Sequence, residues 1–322
     1  MKVFRGLPNA ESRRPCALTI GNFDGVHRGH QALLARAKAA ARARALPLTV
    51  MTFEPHPREF FDPGSAPPRI ALLRDKLEAL AACGVERVIV EHFGASLASL
   101  TPEAFIRDML VDGLHAKWLM VGDDFRYGAK RGGDFASLTE AGTRHGFEVE
   151  RMDTFADAHG ARISSSAVRA ALVAGDLKAA AALLGRHYAI SGHVVHGKKL
   201  GRDLGFPTLN LSITHKRPAV AGIFVVKVHG LAPGALPGVA SLGLRPTVDQ
   251  SGRFLLEVHV LDWGGDAYGK IVQVEFLHKL RDEERYIDLP TLTAAIGRDV
   301  AHTREWFDRI GSGATTATDR IS

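Results

Sequence analysis

Gly21-Asn22-Phe23-Asp24-Gly25-Val26-His27-Arg28-Gly29-His30 is the stretch on which the reading of this chain turns. A short apolar run, Cys16-Ala17-Leu18-Thr19-Ile20, precedes it and reads as a buried strand. An Ala/Leu/Arg-rich segment over residues 31–45 follows it and reads as a helix that Pro47 stops. Strand, glycine-rich turn and helix start together present backbone N–H groups and the positive end of a helix dipole, which suits a phosphate. His27 and His30 add side-chain donors at the same spot, and Gly29, lacking a Cβ, lets a ligand approach the backbone. Two histidines three apart carry little weight alone. The whole string carries the inference of a phosphate-binding turn.

The 322 residues exceed one small domain and suggest two. A hydrophobic content of 46% fits a globular protein with substantial cores. No apolar stretch approaches the ~20 residues that span a bilayer, so no membrane partner is expected. Arg5, Glu11, Arg13 and Arg14 interrupt the N-terminus, so no signal-peptide hydrophobic region is expected. Two cysteines, Cys16 and Cys83, make no disulfide framework, and a reducing, cytoplasmic setting is the simple expectation. The net charge of +6, from 41 basic and 35 acidic residues, suits polyanionic small molecules or nucleic acid without choosing between them. No helix-turn-helix or RNA-recognition signature is present, so nucleic acid is not expected as a partner. Arg36, Lys38, Arg42 and Arg44 read as the solvated face of the first helix.

The two halves follow different patterns. Up to about residue 185, apolar strands (16–20, 48–53, 87–90, 117–121, 146–152) alternate with helical segments (72–82, 101–110, 164–173, 177–184). Thr101 caps one of these helices, with Pro102 in its first turn. Such alternation predicts a doubly wound, mostly parallel sheet with helices on both faces and ligands beyond the carboxyl ends of the strands. After Gly185, β-rich segments (188–195, 223–229, 255–261, 271–277) separated by Gly and Pro clusters predict a small barrel or sandwich. Residues 292–310 read as an amphipathic helix. The expected organisation is residues 1–185, residues 186–310, and a disordered tail over 311–322.

Five motifs in order, GNFDGVHRGH at 21–30, FEPHPR at 53–58, VGDDFRYG at 121–128, ISSSAVR at 163–169 and GHVVHGKKLGRDLGFPTLNL at 192–211, carry a resemblance. Over residues 3–309 the chain resembles the prokaryotic bifunctional riboflavin kinase/FAD synthetases. The resemblance implies an N-terminal nucleotidylyltransferase domain making FAD from FMN, and a C-terminal six-stranded barrel making FMN from riboflavin. ATP and Mg²⁺ serve both, and monomers or weak homo-oligomers are expected. The chain departs at Ser166, where Thr is usual, at Leu209 within Pro207-Thr208-Leu209-Asn210, where Ala is common, and at Asp124, where some members carry Asn.

Adenylyl transfer needs two anions held in line and charge relieved on the α-phosphoryl group and the leaving pyrophosphate. His27 and His30 are the candidates, with Arg169 as a planar fork for phosphate oxygens. Gly21, Asn22, Phe23, Asp24, Gly29, Asp124, Ser164 and Ser165 are expected around ATP. The serines read equally as helix caps, and Asp24 as an Asx-turn residue. Phe53, Pro55, His56, Pro57 and Phe125 mix rigid prolines with aromatics, as a flavin wall or a rigid loop would. No helix start is expected after His56, which ranks it below His27 and His30 as a catalytic group.

In the second half, Gly197, Lys198, Gly201, Arg202, Gly205 and Pro207 form a basic glycine-rich loop whose amides suit ATP phosphates, although it lacks the Walker A order. Thr208 and Asn210, two apart in a strand, share a face and offer two oxygens to one Mg²⁺. Glu257 is the carboxylate of an otherwise apolar strand, and the resemblance implies that it is the kinase base. Arg281 and Tyr286 are expected on the flavin side.

Overall fold

The computed structural model describes the chain except residues 154, 156–159, 198–199, 214–216, 245–253 and 313–322. Packing divides it into two units, one of Met1–Pro67 with Lys76–Ser164 and one of Pro68–Asp75 with the chain from Ser165 on. The division thus falls ahead of residue 185, and the helices over 165–184 group with the second unit.

The first unit is built on a six-stranded parallel sheet in the order β1-β4-β3-β2-β5-β6. Its strands are β1 (Lys2–Arg5), β2 (Cys16–Ile20), β3 (Leu48–Glu54), β4 (Arg87–His92), β5 (Ala116–Gly122) and β6 (Glu148–Met152). β2, buried at every position, lies between β3 and β5. The chain winds from β2 to β3 and β4 on one side, then crosses to β5 and β6 on the other, so the strand order reverses beside β2. A reversal of this kind opens a crevice at the carboxyl ends of the strands. Residues 21–30 follow β2, residues 55–58 follow β3, and residues 123–128 follow β5.

The helices up to residue 145 are α1 (Arg28–Ala43), α2 (Pro57–Phe61), α3 (Leu73–Ala82, in the first unit from Lys76 on), α4 (Ala95–Ala98), α5 (Pro102–Ala104) and α6 (Phe135–His145). Helix α1 begins three residues earlier than the sequence pattern suggests, which brings His30 into its first turn. Thr101 caps α5 as expected, its hydroxyl accepting from the Ala104 amide at 3.1 Å, but the helix then widens into a π-helical stretch over Phe105–Val111. The arginines on α1 face outward: Arg36 pairs with Glu150, and Arg44 pairs with Glu148 and lies 5.4 Å over the Trp118 ring. The core gathers Leu18, Ile20, Met51, Ile89, Leu119 and Val121 from the sheet against Phe105, Met109, Leu110 and Leu138.

The second unit opens with α7 (Ser165–Val173) and α8 (Leu177–Leu184), the latter capped by Asp176, whose carboxylate accepts from the Ala179 amide at 2.8 Å. Six antiparallel strands follow and close a barrel in the order β10-β11-β8-β7-β12-β9. They are β7 (Tyr188–Val195), β8 (Leu209–Ser212), β9 (Gly222–His229), β10 (Leu236–Leu244), β11 (Phe254–Val260) and β12 (Ile271–Arg281), with a single helical turn α9 (Leu200–Asp203) inside the glycine-rich loop. Leu211, Phe224, Val226, Leu242, Leu256, Val258 and Phe276 fill the barrel, and Leu172, Leu177, Ala180 and Leu184 belong to the same core. The last helix, α10 (Leu289–Ser312), is longer than expected at both ends. It takes Gly311 and Ser312 out of the stretch read as a tail, and the rest of that stretch lies outside the described residues. Both cysteines are free thiols, and burial pushes the Cys16 pKa up to about 11.

Candidate active sites

The turn after β2 is held in an unusual backbone conformation. Phe23, Gly25 and Val26 have φ of 47°, 83° and 41°, a region that an aromatic or β-branched residue occupies only under constraint. Phe23 and Val26 are 2% and 0% exposed, so burial of their side chains enforces that shape. His27 then caps α1, its Nδ1 accepting from the His30 amide at 3.3 Å. The two imidazoles stack at 3.7 Å between centroids, and Phe23 lies 5.0 Å from His30. Gly29 makes this possible. A Cβ there would come within 3.2 Å of the His27 ring and of the Ile163 carbonyl.

His30 carries a buried Nδ1 with no hydrogen-bond partner among the described residues. Burial, the adjacent His27 and the ammonium of Lys76 hold its imidazole well below the usual range. Proton uptake by this ring is thus disfavoured in the folded chain, and its N–H remains available as a hydrogen-bond donor. The first turn of α1 contributes its dipole and amides from the same side.

The neighbouring loops sit on the same sheet edge. The Glu54–Pro55 bond is cis, and His56 caps α2, its Nδ1 accepting from the Arg58 amide at 3.1 Å while Glu59 returns a bond to the His56 amide. The expectation that no helix starts after His56 is thus corrected: Pro57 in the first turn and Glu59 two residues on make a capping box, a signal missed because the prolines read as a rigid loop. Phe53, Phe60, Phe61 and Phe93 meet edge to face with centroids 5.2–5.7 Å apart. Phe60 and Phe61 are 38% and 67% exposed, which leaves an aromatic surface open beside the turn. The sequence reading named only Phe53 of these; the adjacent Phe60-Phe61 pair was the available signal. Phe125 stacks on Tyr127 at 5.8 Å and packs into the core, and Asp124 accepts from Arg162 at 3.0 Å.

Ser164 belongs to the first unit, whereas Ser165 and Arg169 group with the second. Ser165 opens α7, and Arg169, four residues on, shares its face. Arg169 Nε donates to the Pro68 carbonyl at 2.7 Å.

In the barrel, strand register assembles a second constellation. Asn210 pairs with Val195 on one side and with Glu257 on the other, and Glu257 in turn pairs with Ser241. These residues point away from the core side chains Leu211, Leu256 and Leu242 and so share the outer face. Asn210 is 6% exposed and its Oδ1 is buried with no partner among the described residues. A Cβ at Gly197 would fall 2.3 Å from Asn210 Nδ2, and one at Gly201 would fall 3.4 Å from Thr208 Oγ1 and 2.5 Å from the Phe206 carbonyl. The glycine loop therefore folds directly over the Thr208–Asn210 pair. Gly205 turns it with φ of 84°, and His259 Nδ1 meets the Pro207 carbonyl at 2.8 Å. Arg202 lies on α9, and Lys198 lies outside the described residues.

Two acidic residues not singled out in the sequence bind groups of the barrel. Glu283 accepts from Ser241 Oγ at 3.0 Å and lies against Gly243, Ser241 being the strand partner of Glu257. Asp299 of α10 binds Arg281 through both oxygens, at 2.9 and 2.7 Å. Arg281 is thus anchored to the helix, with Tyr286 at 5.9 Å from its guanidinium. Neither was legible beforehand, because each depends on a chain reversal after β12.

A parallel-sheet unit with a phosphate-type turn at its strand reversal, followed by a closed barrel with an oxygen-rich outer face, defines a two-module class of enzyme. A family profile described as FAD synthetase matches residues 9–167, and one described as riboflavin kinase matches residues 184–307. The chain is 48% identical over 309 residues to the bifunctional riboflavin kinase/FMN adenylyltransferase of Escherichia coli (strain K12), covering 95% of this chain and 98% of that protein. It is 47% identical over 305 residues to the protein of the same name from Pseudomonas fluorescens, covering 94% and 97%. A crystal structure of a macrolide-efflux protein from Streptococcus pneumoniae matches with a TM-score of 0.74 at 29% identity, over 94% of this chain and 98% of that one. The chain belongs to the bifunctional riboflavin kinase/FMN adenylyltransferase family. No helix among the described residues is long and apolar enough to cross a membrane.

Proposed function

We propose that the chain makes FAD from riboflavin in two ATP-dependent steps, with residues 186–310 carrying the first and residues 1–185 the second. The observation that carries this reading is the presence, in one chain related over 95% of its residues to a bifunctional enzyme, of both sets of residues: the stacked His27–His30 pair at a helix start, and Glu257 registered against Asn210.

In the first step Glu257 takes the proton of the terminal ribityl hydroxyl. The freed oxygen forms a bond to the γ-phosphorus of ATP as the bond to the β-phosphate bridge breaks, giving FMN and ADP. The amides of the Gly197–Gly201–Gly205 loop, with Lys198 and Arg202, receive the nucleotide phosphates, Pro207 shapes the loop, and Arg281 with Tyr286 borders the flavin. Thr208 and Asn210 would hold Mg²⁺. The orphaned, buried Oδ1 of Asn210 and the cradle that a Cβ on Gly197 would fill suit a hard cation that takes oxygen ligands. When bound, such an ion supplies positive charge to the phosphate oxygens. Among the described residues no group of three or more His, Cys, Asp or Glu offers a rival site.

In the second step a phosphate oxygen of FMN bonds to the α-phosphorus of ATP, and the bond to the pyrophosphate bridge breaks. No covalent enzyme intermediate is required. His27 and His30 donate hydrogen bonds to the reacting phosphates, the start of α1 adds its dipole, and Gly21, Asn22, Phe23, Asp24, Gly29 and Asp124 shape the nucleotide pocket. Ser164, Ser165 and Arg169 are assigned to phosphate oxygens by their place in the family motif. Phe53, Pro55, His56, Pro57 and Phe125, extended by Phe60, Phe61 and Phe93, form the flavin wall. The enzyme works in the cytoplasm on small molecules, as a monomer or weak homo-oligomer, with no nucleic-acid partner.

The test is to incubate purified protein with riboflavin, ATP and Mg²⁺ and to separate the flavins by chromatography over time. FMN should appear first and FAD should follow it. FMN that never becomes FAD, with ATP in excess, removes the adenylyl-transfer assignment; FAD formed only when FMN is supplied removes the kinase assignment.

A further inference from the structure

Lys76 is a charged residue where the helix pattern calls for an apolar one. It lies on α3 one turn before Leu80 and shares that residue's face, and the two are 1% and 0% exposed. It has no assigned part in either reaction. Its ammonium donates to Thr52 Oγ1 on β3 at 3.4 Å, and that hydroxyl, itself buried, donates to the Asn22 carbonyl at 3.1 Å. The chain of contacts therefore ends in the turn where Phe23 and Val26 adopt left-handed backbone. Such conformations persist only where the surroundings over-determine them. The same ammonium opposes protonation of His30.

We infer that Lys76 is a positioning residue of the adenylyl-transfer site. Through Thr52 it holds the Asn22 carbonyl, and with it the turn whose amides and His30 meet the nucleotide phosphates, and it adds a buried positive charge to that anion-binding cluster. Burying an ammonium is costly, and apolar replacement of a buried charge together with its partners is often neutral or stabilising. A lysine kept here is thus explained by catalysis better than by folding. The inference rests on the reading of residues 21–30 as the site of FAD synthesis.

The experiment compares full-length wild type, Lys76→Met, Thr52→Val and the double variant. It measures kcat and KM for FAD formation from FMN, riboflavin phosphorylation by the same preparations, and the thermal midpoint. Lys76→Met should lower kcat for FAD formation by on the order of 10- to 100-fold. KM for FMN and riboflavin phosphorylation should stay within about twofold, and the fall in kcat should persist at temperatures well below the variant's thermal midpoint. Thr52→Val should lower kcat in the same sense, and the double variant should be no worse than Lys76→Met, as coupled residues behave. Thr52→Val leaves the ammonium in place, so it tests the link even where Lys76→Met does not fold. A wild-type kcat in either single variant overturns the inference. So do losses that multiply in the double variant, or a fall in FAD formation that only tracks a lowered midpoint. A wild type that makes no FAD defeats the underlying reading instead, and is told apart by occurring before any substitution.

Discussion

At the scale of single residues, the two sites answer to different substitutions. His30→Ala removes a preorganised donor and should cut FAD formation by on the order of 10²-fold, while riboflavin phosphorylation by the same protein is unchanged; parallel assays on riboflavin and on FMN check this. Glu257→Gln keeps the shape and removes the base, so it should reverse the pattern. Gly197→Ala should act like Glu257→Gln, because the added methyl collides with the Asn210 amide 2.3 Å away, and it should raise the Mg²⁺ concentration needed for half-maximal rate. His30 also sets a pH dependence. Its proton affinity is lowered by folding, so below the ordinary value of 6.5 the unfolded chain binds a proton that the folded chain refuses. Stability of the first unit should therefore decline as pH falls through about 6.5, and more steeply than in His30→Ala. Denaturant midpoints across that range decide the point, and equal slopes in the two proteins would contradict it. His27 with His30 and Thr208 with Asn210 were singled out by residue type and spacing, whereas the role of Glu257 was implied by the family resemblance. Lys76 was not singled out, although a lysine in the i, i+4 stripe with Leu80 marks a polar residue on a core-facing side.

At the scale of elements, legibility followed hydrophobic pattern. β2 and α8 are found where the sequence places them, because a continuous apolar run marks the one and a Gly-Asp cap opens the other. β10 was missed: Leu-Pro-Gly-Val-Ala-Ser-Leu-Gly-Leu reads as a loop by its Gly and Pro content. Yet Gly238 belongs there, since a Cβ would sit 2.9 Å from the His259 carbonyl of the next strand. The ends of α10 were misjudged for a different reason. Its position depends on a tertiary pair, Arg281 with Asp299, whose side chains are 25% and 8% exposed. Asp299→Ala should strand a guanidinium at that interface and lower the stability of the second unit by about 2–3 kcal/mol, the buried-pair cost discounted for Arg281's partial exposure. Urea unfolding of the variant measures it; a change below about 0.5 kcal/mol would show that α10 is held by other contacts. Arg281→Met with Asp299→Leu should recover most of the loss.

At the scale of the whole molecule, alternation of strand and helix announced the parallel-sheet half, and short strands between Gly and Pro clusters announced the barrel. The seam differs between composition and packing. Composition changes at Gly185, whereas packing divides the chain between Ser164 and Ser165. The reason is that α7 and α8 look like the end of an α/β pattern but bury Val168, Leu172, Leu177, Ala180 and Leu184 with Tyr188, Ile190, Val274 and Phe276 of the barrel core. This has a direct consequence for fragments. A piece beginning at residue 186 keeps the whole kinase constellation but exposes the apolar surface that α8 covers. Deleting one buried leucine side chain alone costs about 2–5 kcal/mol, and α8 contributes Leu177 and Leu184 at 4% and 1% exposure. Against a total of about 5–15 kcal/mol for a domain, that loss is large. A fragment of residues 165–322 should therefore fold and phosphorylate riboflavin, with a thermal midpoint at least about 10 °C above that of residues 186–322. The shorter piece should bind a hydrophobic dye and aggregate on warming. Equal midpoints for the two fragments would show that α7 and α8 only rest on the barrel, and that the change in composition at Gly185 marks the true boundary.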